Sequence, residues 1–204
     1  MSTIPLHLDG YTVLPQDKIA FVVTYLEMTE KPDLTPVSRS DLALEQQEAM
    51  SAQAFRDVFR RIGEPWLWFG RLTCADDELE ALLAQTTREV YLPMKDGNPV
   101  GLLELDFADP QNVELTYFGL TPEVVGGGAG RWLMNQALEI VWGRERTRRF
   151  WLHTCTGDSP QALGFYQRSG FVPFKRAIEV ADDPRGLGVL PKDAGPHLPF
   201  LNGK

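Results

Sequence analysis

Residues 113–131, VELTYFGLTPEVVGGGAGR, decide the fold. Val113 to Leu120 alternates as a strand and breaks at Thr121-Pro122. Four glycines follow at Gly126, Gly127, Gly128 and Gly130. Beyond them, Leu133, Met134, Ala137, Leu138 and Val141 recur at helical spacing. Glycine lets the main chain approach a ligand closely, and a helix start offers free N–H groups at a positive dipole end. Strand, glycine turn and helix start together form an anion cradle, most often for phosphate. Arg131 in the first helical turn opposes the dipole, which is reasonable beside a bound phosphate.

The phosphate ligand can be narrowed. A Walker loop ends in Gly-Lys-Ser/Thr, and here Gly130 is followed by Arg131-Trp132. A dinucleotide fingerprint counted from Gly126 and Gly128 needs Gly or Ala at 131. The segment Val125-Gly126-Gly127-Gly128-Ala129-Gly130 instead resembles the pyrophosphate loop of the GCN5-related N-acetyltransferase (GNAT) family, Gln/Arg-x-x-Gly-x-Gly/Ala, with Val125 at the position of the polar residue. The family's later motif, Asn-x-x-Ala-x-x-x-Tyr followed by Gly-Phe, resembles Ser159, Ala162, Tyr166, Gly170 and Phe171, with Ser159 replacing Asn. The motif-bearing part spans roughly residues 89–180.

Outward from these motifs, 204 residues make one domain with a sizeable core. The hydrophobic content of 43% and charged content of 24% are those of a globular protein. A formal net charge of −8 leaves no basic surplus for nucleic acid and is compatible with a cationic acceptor. The two cysteines, Cys74 and Cys155, offer no disulfide framework. The N-terminal residues show no signal pattern and no apolar run approaches ~18 residues, so a cytoplasmic protein without membrane contact is expected.

Along the chain, residues 19–25 read as a strand and 42–62 as a helix carrying Leu44, Met50, Ala54, Val58 and Phe59. Trp66-Leu67-Trp68-Phe69-Gly70 sets three aromatics in a loop, where they pack in the core or wall a pocket. Residues 75–85 form a short acidic helix. Strands at 89–92 and 99–107 meet at the turn Lys95-Asp96-Gly97-Asn98. After the glycine loop come a helix, a strand at 150–156, a helix opened by Ser159 as N-cap with Pro160 behind it, and a strand at 171–180. The tail from Ala181 is irregular, either wrapped on the body or mobile.

The resemblance implies a single α/β domain, a mixed and mostly antiparallel sheet with a central splayed strand pair flanked by helices. Residues 1–86 carry the acceptor-side helices, 87–180 form the acetyl-CoA-binding core, and 181–204 are the tail. It implies transfer of acetyl from acetyl-CoA to a primary amine without a metal. The donor is held by Phe118, Gly119, Leu120, the loop from Val125 to Arg131, Ser159 and Tyr166, with Tyr166 also the acid that protonates the departing sulfur. For the base, Glu114 leads. Glu104 on the preceding strand is a candidate neighbour, and two close carboxylates raise one pKa toward a useful value. His153 and Cys155 share a strand face, but Cα atoms ~7 Å apart suit a direct bond poorly; the cysteine reads as core and the histidine as a liner of the acceptor side. The acceptor, a small-molecule amine or a peptide, stays open among amino acids, polyamines, aminoglycosides and protein N-termini. A homodimer also stays open. The competing expectation is a module that binds or senses acyl-CoA without catalysis, to which Val125 and Ser159 lend weight.

Overall fold

The computed structural model describes residues 5–201. Eight strands form one mixed sheet: β1 (Lys18–Met28), β2 (Ala43–Gln47), β3 (Arg88–Lys95), β4 (Asn98–Pro99), β5 (Gly101–Asp106), β6 (Asn112–Leu120), β7 (Arg149–Cys155) and β8 (Val172–Asp182). The helices are α1 (Ala52–Gly63), α2 (Asp76–Leu83), α3 (Ala129–Trp142) and α4 (Ala162–Arg168). The strand order is β2-β3-β5-β6-β7-β1-β8, with the short β4 paired to β3. Every pairing is antiparallel except β6 with β7.

α3 covers one face of the sheet. Its Leu133, Met134, Ala137, Leu138 and Val141 are buried against strand residues such as Leu105, Val113 and Leu152. α1 and α2 cover the other face through Phe55, Phe59, Ile62 and Leu79, packed on Val90, Leu92 and Leu102. Each such side chain gains about 1.5–3 kcal/mol from burial, so the two layers fix the sheet between them.

Three features differ from the expectation. The span 42–62 is not one helix. Ala43–Gln47 pairs along β3 as a strand, and α1 starts only after Ser51, whose side chain accepts the Ala54 N–H at 3.3 Å. Ala-Leu-Glu-Gln-Gln is a run of good helix formers, and pairing with β3 overrides that preference. The α4 helix begins at Ala162 and not at Ser159, although Gln161 already has helical angles of −82° and −16°, so the difference lies within the usual fraying of a helix end. The N-terminal strand is no accessory either: β1 lies between β7 and β8, pairing Tyr25 with His153 on one side and with Lys175 on the other. Residues before 87 are thus woven into the sheet that carries the glycine loop.

The tail is wrapped on the body. Buried Arg185 pairs with Asp183 and donates to the carbonyls of Ala194 at 3.2 Å and Leu198 at 2.7 Å. Leu190 and Ala194 then pack on Phe21 and Leu67.

Candidate active site

The site is a wedge between β6 and β7. The two strands pair only from Asn112–Arg149 to Glu114–Trp151, then part: β6 continues beside β5 alone and β7 beside β1 alone. A bulge at Thr116 helps to open the wedge, because Glu104 faces Tyr117 while Leu105 faces Leu115. The Thr121 N–H donates to Val100 O at 2.9 Å on the β5 side. Main-chain groups alternate along a strand, so those of Leu120 and Phe118 face the opening. Gly119 lets α1 lie close: a Cβ there would sit 2.4 Å from Ile62 Cγ2.

At the outer end of the wedge is the glycine loop. Gly126, Gly127 and Gly128 have φ of 99°, 54° and 84°, a left-handed run that L side chains resist. Gly128 is the N-cap of α3, and Ala129 N–H closes back on Gly126 O at 3.1 Å. The N–H groups of Gly130 and Arg131 open the helix and lack intrahelical acceptors. Arg39 approaches the carbonyls of Gly126 and Gly127 at 3.4 Å each while Asp41 holds its guanidinium. With the carbonyls turned to Arg39, the amide edge is left to an anion. Arg131 donates to the Arg168 carbonyl at 3.2 Å and lies over the Phe165 ring at 5.8 Å, locking the start of α3 to α4. Val125, at the loop's first position, is 68% exposed and bounds the wedge.

Two connected chambers fill the wedge. A groove of about 360 Å³ runs between Phe118, Gly119 and Leu120 on one side and Ser159, Ala162 and Phe165 of the α4 region on the other. A pocket of about 170 Å³ lies deeper, bounded among others by Tyr117, His153, Cys155 and Glu179. Trp66, Trp68, Phe118, Asp158 and Tyr166 line both, so these five residues form the junction. The expected donor residues Phe118, Gly119, Leu120, Val125, Ser159 and Tyr166 therefore come together along one groove. Trp66 and Trp68 are pocket walls. Ser159 Oγ accepts the Gln161 N–H at 3.4 Å and donates to Gln161 Oε1 at 2.6 Å, bracing the turn just before α4.

Tyr166 sits at the junction with its phenol pushed well above the ordinary range, first by burial and then by the charge of Asp158. It stays protonated at neutral pH. Asp158 accepts from Trp68 Nε1 at 2.9 Å, from Thr154 Oγ1 at 2.7 Å and from the Cys155 N–H at 2.9 Å. Three donors fix its orientation. Burial pushes the Cys155 thiol up to about 12, so it carries no thiolate at neutral pH and is no nucleophile.

The two carboxylates expected close together are not directly opposed in the register, although the charge of Glu104 is among those that raise Glu114. The register sets Asp106 opposite Glu114 and Tyr117 opposite Glu104. Glu104 is fully buried and held by both Arg71 and Arg88. Both guanidiniums bind its Oε1, while Oε2 is buried without a partner, so its evident role is as their counter-charge. Glu114 is half-buried, and its carboxyl is raised by burial, while the nearby His153 opposes the shift and Asp106 adds to it. His153 is exposed and lines the pocket, with its ring 5.4 Å from Tyr25.

Asp158, Arg39 and Arg168 were not among the expected site residues. The only local signal for Asp158 is its place in a Thr-Gly-Asp-Ser turn directly after a strand; Arg39 reaches the glycine loop from a distant connection and has no local signal.

The described residues contain no group of three side chains fit to hold a metal ion and no helix long and apolar enough to cross a membrane. An open mixed sheet, a splayed central pair and a glycine loop before a helix define a fold of the acyl-CoA transferase type. The family model described as Acetyltransferase (GNAT) family matches residues 53–171, more than half of the chain, and the chain belongs to that family. Curated proteins give no significant match. Among solved structures, a GCN5-related N-acetyltransferase from Sphaerobacter thermophilus aligns with a TM-score of 0.59 at 13% identity, over 80% of this chain and 52% of that one. An acetyltransferase from Thermus thermophilus aligns at 0.52 and 21% identity, over 69% and 97%. A conserved protein of unknown function from Staphylococcus epidermidis aligns at 0.53 and 14% identity, over 81% and 63%. The chain thus spans less than two thirds of the Staphylococcus and Sphaerobacter proteins, and these likenesses concern the fold.

Proposed function

We propose that the protein is an N-acetyltransferase that moves the acetyl group of acetyl-CoA directly to a primary amine. The observation that carries this is the adjacency of two chambers in the wedge: the groove bounded by Val125 at the start of the glycine loop and the carboxylate-lined pocket share Tyr166 in their walls. The amide edge of Gly126–Arg131 and the start of α3 take the pyrophosphate, and the main-chain groups of Phe118 and Leu120 take the pantetheine arm.

In the transfer, the amine lone pair forms the new C–N bond and the C–S bond breaks. The electron pair stays on sulfur, which receives the phenolic proton of Tyr166; the proton that the attacking nitrogen loses as the amide forms restores the phenol. The amine must first shed a proton, and Glu114, reached through His153, accepts it. Its raised carboxyl makes it a better base than an exposed glutamate. Family membership and the absence of a thiolate at Cys155 support direct transfer over an acyl-enzyme.

The test is release of free CoA from acetyl-CoA in the presence of a panel of amines, with acetylated product identified by mass spectrometry. Amine-dependent release that falls sharply in Tyr166→Phe is expected. Tight acetyl-CoA binding with no product from any amine favours the non-catalytic acyl-CoA module instead.

A further inference from the structure

The inner pocket has a distinctive lining. Seven of its fifteen residues are Phe, Trp or Tyr, two are the carboxylates Asp158 and Glu179, and none is Lys or Arg. At about 170 Å³ it compares with a cavity of ~150 Å³ that accepts benzene, so it has room for one ring or a similar short apolar body. Its rear wall, Phe21 and Leu67, rests on Leu190 and Ala194 of the wrapped tail.

The charges are arranged for a cation. Asp158 Oδ2 already accepts two hydrogen bonds, whereas Oδ1 accepts only that from Trp68, and a carboxylate has roughly four acceptor sites. Oδ1 therefore keeps an acceptor site, and Asp158 shares the walls of this pocket with Tyr166. Trp66 and Trp68 add aromatic faces, which attract ammonium groups. The Arg71 guanidinium lies over the Tyr117 ring at 5.1 Å and is engaged with Glu104. An acceptor carboxylate or phosphate in this pocket would lose its water and meet no lysine or arginine of the lining, only His153, a costly exchange.

We infer that the acceptor is a small organic monoamine with an apolar, ring-sized body and no carboxylate or phosphate: its ammonium is received by Asp158 and Glu179, its body by Trp66, Trp68 and Phe21. This rests on the proposed transferase reading for the identity of the pocket as the acceptor side. Free amino acids are disfavoured by their carboxylate, and aminoglycosides by their size and many hydroxyls.

The experiment compares 2-phenylethylamine with phenylalanine, which differ by one carboxylate, alongside spermidine and kanamycin. Steady-state acetylation is measured together with direct amine binding by quenching of tryptophan fluorescence, and acetyl-CoA binding is checked separately in the same preparation. Expected is a kcat/KM for 2-phenylethylamine at least tenfold above each of the others, reduced about tenfold by Trp66→Ala. Preference for phenylalanine, spermidine or kanamycin overturns the inference while leaving the donor reading intact. If acetyl-CoA is not bound, the donor reading fails by itself. The inference is then decided by amine binding: tenfold tighter binding of 2-phenylethylamine than of phenylalanine upholds it, and equal or absent binding overturns it.

Discussion

The indole N–H of Trp68 donates to Asp158 Oδ1 at 2.9 Å, tying the aromatic loop after α1 to the turn between β7 and α4. This one bond joins two residues that line both chambers of the wedge together with Tyr166. Trp68→Phe keeps the ring packing and removes the donor. A hydrogen bond to a charged group is worth about 1.5–3 kcal/mol, so kcat/KM for the amine is expected to fall about tenfold or more, with acetyl-CoA affinity nearly unchanged. Steady-state kinetics and calorimetry on the same variant check this; an unchanged kcat/KM would show that the bond does not orient the site.

Tyr166→Phe retains the ring contacts with Phe118, Phe165 and Phe171 and removes the proton. General acid catalysis contributes about 10²–10⁴-fold. The expected outcome is a loss of kcat in that range with acetyl-CoA binding within a few-fold of wild type. Equal loss of binding would assign the residue to packing.

Glu114 provides a test with pH. Its carboxyl is raised in the folded protein from an ordinary value of 4.5, mainly by burial. The native state therefore holds this proton more tightly than the unfolded chain, and stability falls as pH rises from about 4.5 to the raised folded value, then levels off. Glu114→Gln removes that loss. Its melting temperature should match wild type near pH 4 and exceed it at pH 7–8, while activity drops and the acidic limb of the rate profile disappears. A variant less stable at pH 7 than wild type, or one with an intact acidic limb, contradicts both roles.

The buried ion cluster gives the opposite sign. Glu104 bridges Arg71 and Arg88, whose side chains are only 15% and 8% exposed. Glu104→Gln leaves buried Arg71 without a counter-charge and Arg88 with Asp106 alone, and breaking such a pair costs about 3–5 kcal/mol. Urea unfolding should show a loss of that size. A loss below about 1 kcal/mol together with abolished turnover would return Glu104 to consideration as the base.

The glycine loop was legible because its signals are local: consecutive glycines, a preceding strand and a following helical stripe all lie between Val113 and Val141. The second motif was legible in the same way through Ala162 and Tyr166. Contacts made at long range left no such trace. The insertion of β1 between β7 and β8 depends on pairings such as Tyr25 with His153, and a strand read alone does not name its neighbours. Ala43–Gln47 reads as helix because its composition favours one, and only pairing with β3 makes it a strand. Asp158 gains its place from Trp68, and Arg39 from the left-handed turn that brings the Gly126 and Gly127 carbonyls to it. Glu104 was a candidate neighbour of Glu114 because sequence alone does not fix the register of two strands: the pairing sets Asp106 opposite Glu114, and Glu104 acts on it through its charge.

The central claim is that the loop at Val125–Arg131 and the wedge behind it bind acetyl-CoA, and calorimetric titration tests it most directly. Wild type should bind acetyl-CoA at one site with a Kd in the micromolar range, about −8 kcal/mol, and ATP far more weakly. Gly128→Ala should reduce that affinity tenfold or more while keeping the circular dichroism of the fold. Its φ of 84° costs an L side chain about 1–2 kcal/mol, and the new Cβ would lie 2.9 Å from Val37 Cγ1. A folded wild-type protein that gives no heat with acetyl-CoA, or that binds ATP equally well, would contradict the claim.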